Sequence, residues 1–461
     1  MIVAVDCGST NMKAALYGSE GNRMAEASRP LPYTIQTRTR VELSPEAVWG
    51  CFLDLIHDLC GKTAVTHREI RRIAFTSQAQ TFTTVDPEGK AVTPFIGWAD
   101  VRAQEEAKEL QTLLGKDFHR LSGSPALSPM HVTSKVLWMR RGHSLNSTMR
   151  IVSLPSFLAM LLGAVHATDR NLAAMTGLYS ISEKQWSSKM MEAAGVETRQ
   201  LGILVEPGAV LEKTDIRRCR DFSPDLDIVM ACNDHTAGAV GCGCRQGHPT
   251  LTLGTAGVLY RYAGERPGPF SRSGLWGPYP LGGYYELLCL NHACSALDWA
   301  DQFLHGSVDS PRFAGSARKA QTNENSPLFY PDAQGSADAW LGNGTVEQRA
   351  YSVLEGIGFA LRHLAGENFY AEGEPIMVLG GGSRLDHWVQ IAANIFEHTM
   401  VCASGDGLDG AAQLAGAPIP SARESLRPRS FLPDPSKRDL LALRYRRWLS
   451  QYRPSSPATP A

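Results

Sequence analysis

The stretch IVAVDCGSTNMKAAL, residues 2–16, decides how the rest of the sequence is interpreted. It opens with a short apolar run, residues 2–5, which is typical of a buried strand. The polar segment that follows contains one carboxylate, Asp6, and apolar residues return at Ala14. The pattern therefore predicts a strand, a tight polar turn and a returning strand.

Two interpretations of this turn are open. Gly8 allows a ligand to approach the backbone closely, and Ser9, Thr10 and the N–H groups of the turn can donate to phosphate oxygens. Lys13 can add a positive charge, and Asp6 can hold a hydrated Mg²⁺. The alternative is an ordinary hairpin with a capped turn. A lone D-x-G-[ST] pattern has low specificity and does not decide between the two interpretations.

The composition is that of an ordinary globular protein with more than one domain. The 461 residues are 43% hydrophobic and 20% charged, and the formal net charge of −1 gives no electrostatic footprint for nucleic acid. No apolar run reaches the roughly 18 residues needed to span a bilayer, and the chain enters a strand at once rather than a signal peptide. Of the ten cysteines, Cys242 and Cys244 form the one close pair, without a second pair at zinc-site spacing. We expect a reduced, cytoplasmic protein without a structural metal, a membrane partner or a nucleic-acid partner.

Strands alternate with helices along the chain, which predicts an α/β fold. Residues 43–60 have helical periodicity, with Ser44 as a plausible N-cap and Pro45 in the first turn. A second long helix is expected over residues 346–364. The polar stretch 312–327 predicts a surface loop.

The opening pattern returns in the second half of the chain. Residues 250–260, TLTLGTAGVLY, again give a strand, a Gly-Thr turn and a strand, and two such hairpins indicate an internal duplication. Further polar turns follow predicted strands at residues 233–234 and 380–383. Phosphoryl transfer needs backbone donors around the phosphates, a carboxylate for the metal, and a base for the acceptor hydroxyl. The sequence contains neither a P-loop motif nor the protein-kinase motifs.

The combination of motifs resembles the FGGY carbohydrate kinases, which have the actin, hexokinase and heat-shock ATPase fold. No single motif is diagnostic, but the ordered set at sensible spacing is, and it covers nearly the whole chain. The matching segments are D-C-G-S-T at 6–10 with Lys13, W-A-D-V-R at 98–102, K-V-L-W at 135–138, the T-D to G-L stretch at 168–178, N-D-H-T-A-G-A-V-G at 233–241, Gly254-Thr255, and G-G-G-S at 380–383.

The resemblance implies two ribonuclease-H-like domains with a cleft between them. Residues 1–245 would bind the sugar and carry the catalytic aspartate, residues 246–450 would bind the nucleotide, and residues 451–461 would form a disordered tail. ATP and Mg²⁺ would occupy the C-terminal side of the cleft and the sugar the N-terminal side. Whether the protein forms a homodimer stays open.

The resemblance also implies roles for single residues. Asp234 would be the general base for the sugar hydroxyl, unless it is only the N-cap of the helix that follows. Asp6 would position Mg²⁺ together with Asp234, unless it only caps its turn. The expected contacts to ATP are Gly8, Ser9, Thr10, Lys13, Gly254, Thr255, Gly380, Gly381, Gly382, Ser383 and Gly410.

The residues on the sugar side have structural alternatives. Besides Asp234, the expected sugar contacts are Gln78, Gln80, Trp98, Asp100, Arg102 and His235. Trp98 could pack against the C–H face of a sugar or belong to the core. Asp100 and Arg102 could bind hydroxyls or form a charge pair at the start of a helix.

The substrate is open because the chain departs from better-known subfamilies. Residues 78–81 are Q-A-Q-T, where xylulose kinases usually have Q-M-H-G and glycerol kinases Q-R-E-T, and His235 replaces a common Gln or Asn. A ketopentose such as D-xylulose is the first expectation, and a substrate of the glycerol, erythritol, ribulose or fuculose type is the alternative. The rival from another class is a non-enzymatic actin-fold protein that binds ATP.

Overall fold

Two β-sheets, each covered by helices, form the frame of the molecule, for which we use a computed structural model. The structure describes residues 1–213, 215, 220–243, 248–265, 274–366, 369–371, 373–402, 405–418 and 428–452. The boundary predicted near residue 245 and residues 453–461 of the predicted tail lie outside the described residues.

The described elements are numbered here in chain order. The strands are β1 (Ile2–Cys7), β2 (Asn11–Tyr17), β3 (Arg23–Pro30), β4 (Tyr33–Gln36), β5 (Val41–Leu43), β6 (Arg72–Ser77), β7 (Phe82–Val85), β8 (Phe95–Ile96), β9 (Arg150–Ser153), β10 (Ala167–Asp169), β11 (Tyr179–Ser180), β12 (Gln185–Trp186), β13 (Ile203–Val205), β14 (Asp227–Asn233), β15 (Thr250–Leu253), β16 (Gly257–Gly264), β17 (Leu275–Pro278), β18 (Tyr284–Leu290), β19 (Leu328–Phe329), β20 (Trp340–Leu341), β21 (Ile376–Leu379), β22 (Met400–Cys402) and β23 (Ser430–Phe431). The helices are α1 (Pro45–Thr63), α2 (Gln104–Leu114), α3 (Lys116–Ser122), α4 (Val132–Arg141), α5 (Leu154–Leu161), α6 (Arg170–Ala174), α7 (Ser188–Ala194), α8 (Asp234–Gly241), α9 (Cys294–His305), α10 (Ser310–Arg318), α11 (Val346–Ala365), α12 (Asp386–Phe396), α13 (Gly407–Leu414) and α14 (Arg438–Gln451).

The two sheets share one strand order. The first runs β14-β6-β1-β2-β3, and the second runs β17-β18-β16-β15-β21-β22-β23. Strands β3, β2, β1, β6 and β14 therefore correspond to β18, β16, β15, β21 and β22. In each sheet the opening hairpin is antiparallel, and its first strand pairs in parallel with a later strand. The correspondence confirms the duplication that the two hairpins predict.

Helices that cover the sheets begin where their capping residues predict. The Ser44 side chain accepts the N–H of Ala47 and caps α1, whose buried residues include Val48 and Phe52. The long helix α11 confirms the prediction over 346–364. None of the described helices is both long and apolar enough to cross a membrane.

The loop predicted over residues 312–327 is wrong for its first part, which belongs to α10. Phe313 and Ala317 are four residues apart, so both lie on one face of the helix, and both are buried. Asp309 caps the helix by accepting the N–H of Arg312 at 3.1 Å. A short apolar stripe in a polar sequence is enough to bury one face of this helix.

An insertion between β6 and β14 builds a separate lobe beside the first sheet. It contributes most of the five-stranded sheet β4-β5-β8-β7-β9 and the helices α2 to α7. The lobe has its own apolar core, which includes Phe118 and Val136. Because the insertion starts at the end of β6, it brings its first residues to the edge of the sheet where the parallel strands end.

Two short helices cross between the halves. α8 follows β14, and its Val240 packs with Val258 of the second sheet. α13 follows β22, and its Leu408 and Ala411 pack with Ala4 and other residues of the first sheet. Each half therefore sends one helix onto the other half, and the two helices touch where Gly410 meets the carbonyl of Ala237.

Candidate active site between the two sheets

A cavity of about 430 Å³ lies between the sheets, at the edge where their parallel strands end. This edge is the usual ligand site of open α/β sheets. Both halves of the chain line the cavity. Its lining includes Ser9, Thr10, Gln78, Trp98 and Asp234 from the first half, and Gly254, Thr255 and Asn291 from the second.

Asp234 lines this cavity as the first residue of α8. The N-cap is the residue before it, Asn233, whose side-chain oxygen accepts the N–H of Thr236 at 2.9 Å. The interpretation of Asp234 as the N-cap is therefore wrong. Its Oδ1 accepts the backbone N–H of His235 at 2.9 Å, which orients the carboxylate without using it as a cap.

A buried polar network fixes the start of α8. Asn171 Oδ1 accepts the backbone N–H of Asn233 at 3.0 Å, and Asn171 Nδ2 donates to the Thr236 hydroxyl at 3.1 Å. The Thr236 hydroxyl lies 3.0 Å from that of Tyr260 in the second half. Cys232 has φ +60°, a conformation that costs free energy in a non-glycine residue and often occurs at functional sites. The stretch 168–178 thus supports the helix that carries Asp234.

Asp6 is the next-to-last residue of β1 and lies close to Asp234. Its Oδ1 is buried and has no hydrogen-bond partner among the described residues. Burial, reinforced by the negative charge of Asp234, raises the pKa of Asp6 to about 8, although the Lys13 ammonium opposes the shift and Asp406 adds to it. Lys13 is exposed and lies opposite Asp6 in the register of the opening hairpin. A carboxylate in this position would gain from a nearby cation.

The carboxylates at this end of the cavity fit a Mg²⁺ ion that also binds the phosphates of a substrate. Mg²⁺ usually binds to one or two carboxylates, several waters and substrate phosphates. Asp6 and Asp234 can supply the carboxylates. Among the described residues, no group of three or more His, Cys, Asp or Glu is arranged to hold a metal ion. The carboxylate pair therefore suits a metal ion that arrives with phosphate rather than a resident one.

We expect Asp6→Asn to raise the melting temperature of the ligand-free protein at pH 8 and to flatten its pH dependence. The pKa of Asp6 is higher in the folded state than its ordinary value of 3.8. The folded protein therefore keeps a proton that the unfolded chain has lost, and wild-type stability falls as the pH rises from about 4 to about 8. One pKa unit corresponds to about 1.4 kcal/mol, and we expect the gain in the free energy of unfolding at pH 8 to be at least this large.

Thermal melts between pH 5 and pH 9 measure this effect. Asp225→Asn, which removes an exposed carboxylate on the same half, is the matched control and should leave the pH profile unchanged. Asp6→Asn should also remove any stabilisation by Mg²⁺ with ADP. The same pH slope in Asp6→Asn and in the wild type would contradict the assignment.

The turns predicted to bind phosphate meet at the cavity. Ser9 and Thr10 of the first hairpin line it, as do Gly254 and Thr255 of the second. The Gly380 turn lies directly beside the second hairpin. Gly380 has φ +83°, and a Cβ on it would lie 2.5 Å from the carbonyl oxygen of residue 253. Glycine is required here, because a side chain would push the two turns apart.

Other predicted nucleotide contacts support the backbone of the site. Gly382 is buried against the side chain of Trp388, and the Ser383 hydroxyl donates to the carbonyl of Gly380 at 2.8 Å. Gly410 is buried where α13 crosses α8, and a Cβ on it would collide with the carbonyl of Ala237. Direct contact of these three residues with ATP stays a prediction, as does that of Gly8 and the exposed Gly381.

Four of the predicted sugar contacts, Gln78, Gln80, Trp98 and His235, line the cavity. Both amide atoms of Gln78 are buried, and the side-chain partner of Gln78 is the Tyr33 hydroxyl, which lines the same cavity. The amide keeps further donor and acceptor capacity that a ligand hydroxyl can use. Trp98 is half-buried, and the Thr81 hydroxyl accepts its backbone N–H at 3.0 Å.

Asp100 and Arg102 lie outside the cavity lining. Asp100 is fully buried and accepts Arg102 Nε at 2.8 Å and the backbone N–H of Val41 at 2.7 Å. Burial opposes its ionisation, but these hydrogen bonds hold the pKa of Asp100 below its ordinary value. Arg102 also bonds Glu42 at 2.6 Å. The structure thus contains the charge pair of the alternative interpretation, just before α2, and gives no support to a direct sugar contact.

Lys135 of the K-V-L-W motif holds the segment that carries Trp98. Its fully buried Nζ donates to the carbonyl of Gly97 at 2.7 Å and to that of Trp98 at 3.1 Å. Burial lowers the pKa of Lys135 to about 7, which Asp100 opposes and Arg102 reinforces. These bonds tie α4 to the cavity wall, so Lys135 is a positioning residue for Trp98.

Further lining residues were not singled out from the sequence. His131 precedes α4 and accepts the Ser128 N–H at its Nδ1, at 3.1 Å. Burial lowers the pKa of His131 to about 4, which keeps the imidazole neutral. Its position four residues before Lys135 was the available signal. Asn291, which follows β18, lies outside every motif noted above.

Comparisons with known proteins agree with this geometry. Residues 1–241 match the model described as the FGGY family of carbohydrate kinases, N-terminal domain. The xylulose kinase of Streptomyces rubiginosus is 24% identical, with 85% of this chain and 82% of the relative covered. The gluconokinase of Bacillus subtilis (strain 168) is 22% identical, with 87% and 83% covered. The crystal structure of ligand-bound xylulose kinase from Lactobacillus acidophilus is 21% identical and gives a TM-score of 0.86 over 97% of each chain.

The duplicated sheets and the cavity between them define a protein of the actin-like ATPase fold, which confirms the predicted α/β class with two ribonuclease-H-like units. Within that class, the chain belongs to the FGGY family of carbohydrate kinases. It is therefore a carbohydrate kinase, an enzyme that transfers phosphate to an alcohol group. Membership of this family implies ATP as the phosphoryl donor.

Proposed function

We propose that the enzyme phosphorylates a terminal hydroxyl of a small neutral sugar or polyol, with a ketopentose such as D-xylulose as the first candidate. One observation carries the proposal: the buried amide of Gln78 shares a cavity with Asp234 and with the turns at Thr10 and Thr255. Phosphoryl transfer needs a site for the attacking hydroxyl, a base that takes its proton, and hydrogen-bond donors that hold the phosphates.

Asp234 is the general base in this proposal. Its carboxylate accepts the proton of the attacking hydroxyl while the new O–P bond forms and the bond from the γ-phosphorus to the ADP oxygen breaks. The turns at Thr10, Thr255 and Gly380 hold the phosphates, and Lys13 adds positive charge. Mg²⁺, when held by Asp6 and Asp234, supplies charge neutralisation on the phosphates. We assign the sugar to residues 1–245 and the nucleotide to residues 246–450.

The chemistry of the cavity wall supports a neutral substrate. Gln78 and Gln80 offer uncharged amides, and His131 is neutral. Such groups match sugar hydroxyls, whereas a carboxylate is best recognised by the fork of an arginine. Trp98 offers an apolar face for the C–H groups of the sugar. Substrates of the glycerol, erythritol, ribulose and fuculose types are the neutral alternatives.

ADP release with Mg²⁺ and ATP, measured across a panel of acceptors, tests the proposal. The panel contains D-xylulose, ribulose, fuculose, glycerol, erythritol and gluconate, and we expect a ketopentose to stimulate ADP release most and gluconate little. Preferential stimulation by gluconate would contradict the neutral-substrate proposal. ATP turnover that no acceptor stimulates would favour the rival interpretation, a nucleotide-responsive protein that phosphorylates no sugar.

A further inference from the structure

We propose that Gln80 limits the size of the substrate group that lies against it, because it closes off a second, mainly apolar cavity that adjoins the sugar site. This inference rests on the proposed function and deepens it. Gln80 would be a specificity-determining residue, and the wall that it forms would reject substrates that carry an additional methyl group at that position.

The second cavity adjoins the first at Gln80. Its volume is about 40 Å³, and Gln80 is the residue that lines both cavities. A cavity of this size exceeds the roughly 10–15 Å³ that a single water requires. The space is therefore large enough for a methyl group, provided that the wall is opened.

The wall between the two cavities depends on one hydrogen bond. Gln80 Nε2 donates to the carbonyl of Met175 at 2.9 Å. Met175 lines the first cavity, and its neighbour Thr176 lines the second. Gln80 also has φ +64°, a conformation that a non-glycine residue keeps only when its surroundings impose it. Side chain and backbone together thus hold Gln80 in the wall.

The second cavity is lined mainly by apolar side chains, together with the hydroxyls of Thr81, Ser153, Thr168 and Thr176. The Thr81 hydroxyl accepts the N–H of Trp98 at 3.0 Å, and the Thr176 hydroxyl donates to the carbonyl of residue 173 at 2.7 Å. The Ser153 hydroxyl lies 2.6 Å from that of Ser156. The remaining lining is largely hydrophobic and includes Phe82, Val132, Ile151, Leu172, Leu178 and Leu201. An additional hydroxyl would find few partners here, whereas a methyl group would be favoured.

Gln80→Gly should join the two cavities and admit a methyl group. Glycine adopts φ +64° without strain, so the backbone of the wall can persist. A methylene-sized group in an apolar pocket changes kcat/KM by roughly 10–200-fold. We therefore expect the ratio of kcat/KM for methyl-bearing over parent ketoses to rise at least about tenfold in Gln80→Gly.

The test compares pentuloses with 6-deoxyhexuloses, which carry one additional methyl group on C5 of the pentulose. Leu178→Ala is the matched control, because it enlarges the second cavity behind an intact wall. Its kcat/KM ratio should stay at the wild-type value even if its melting temperature falls. Gln80→Asn, which keeps an amide and also tolerates positive φ, should give an intermediate ratio. A parallel loss for all ketoses in Gln80→Gly, or an equal rise in Leu178→Ala, would overturn the inference.

Ligand-induced shifts of the melting temperature provide a readout that needs no turnover. In Gln80→Gly, the methyl-bearing ketoses should raise the melting temperature more than they do in the wild type. The absence of that difference would also overturn the inference. The outcome is separable from the proposed function, which fails if no acceptor stimulates ADP release by the wild-type enzyme.

Discussion

Asp234→Asn should lower kcat for phosphoryl transfer by about 10²–10⁴-fold and should leave nucleotide binding intact. An amide cannot accept the proton of the sugar hydroxyl at neutral pH. Its oxygen can still accept the His235 N–H that Asp234 Oδ1 accepts at 2.9 Å, and Asn233 still caps α8. The change therefore removes the base, together with one of the two carboxylates proposed to hold Mg²⁺ and a negative charge that raises the pKa of Asp6, and it keeps the local backbone contacts. Sugar-stimulated ADP release and ADP affinity measured by calorimetry give the two readouts.

Asn233→Ala is the control that separates the base from the helix that carries it. Loss of this N-cap should lower the stability by about 0.5–2 kcal/mol, whereas Asp234→Asn should change the melting temperature little. Both variants can be compared in the same thermal melts. Near-normal turnover in Asp234→Asn would remove Asp234 from the role of base, whatever Asn233→Ala does.

Local patterns were enough to predict much of the frame. The apolar runs on either side of the Asp6 turn and of the Gly254 turn are short, buried and bounded by polar residues. The two runs around each turn fold as a hairpin at the centre of their sheet. The strand–turn–helix around Asp234 was also readable, because a buried run ends directly before a segment of small residues. These elements follow from the spacing of apolar residues and from the residue types of the turns, within about a dozen residues of sequence.

Contacts between distant segments could not be predicted in the same way. Asp100 and Arg102 have the residue types of a sugar site. Their partners, Val41 and Glu42, lie about 60 positions away in the sequence. These contacts connect two segments of the fold, and the local sequence around residue 100 does not show them. His131 carries no motif of its own, and it reaches the cavity through the lobe inserted after β6. Gly410 was interpreted as a nucleotide contact, yet what decides its place is the carbonyl of Ala237 in another helix.

Gly410→Ala should impair both stability and activity, because α8 and α13 touch at this point without a side chain between them. A Cβ on Gly410 would collide with the carbonyl of Ala237. α13 cannot easily move away, since Arg23 on β3 bonds Asp406 at 2.6 Å and Asp409 at 2.9 Å at the start of the helix. Overpacking of this kind costs about 1–3 kcal/mol, which thermal melts would show.

The strain should reach the reaction through α8, because the new Cβ would press on its backbone at Ala237. Asp234 is its first residue, and a displacement of about 1 Å at a catalytic group can cost about 10²-fold in rate. Gly238→Ala is the matched control on the same helix, because a Cβ there has no atom within 4 Å. It should keep kcat and raise the stability by about 0.5–1 kcal/mol. Equal kcat and equal melting temperatures for Gly410→Ala and Gly238→Ala would show that the crossing does not position Asp234.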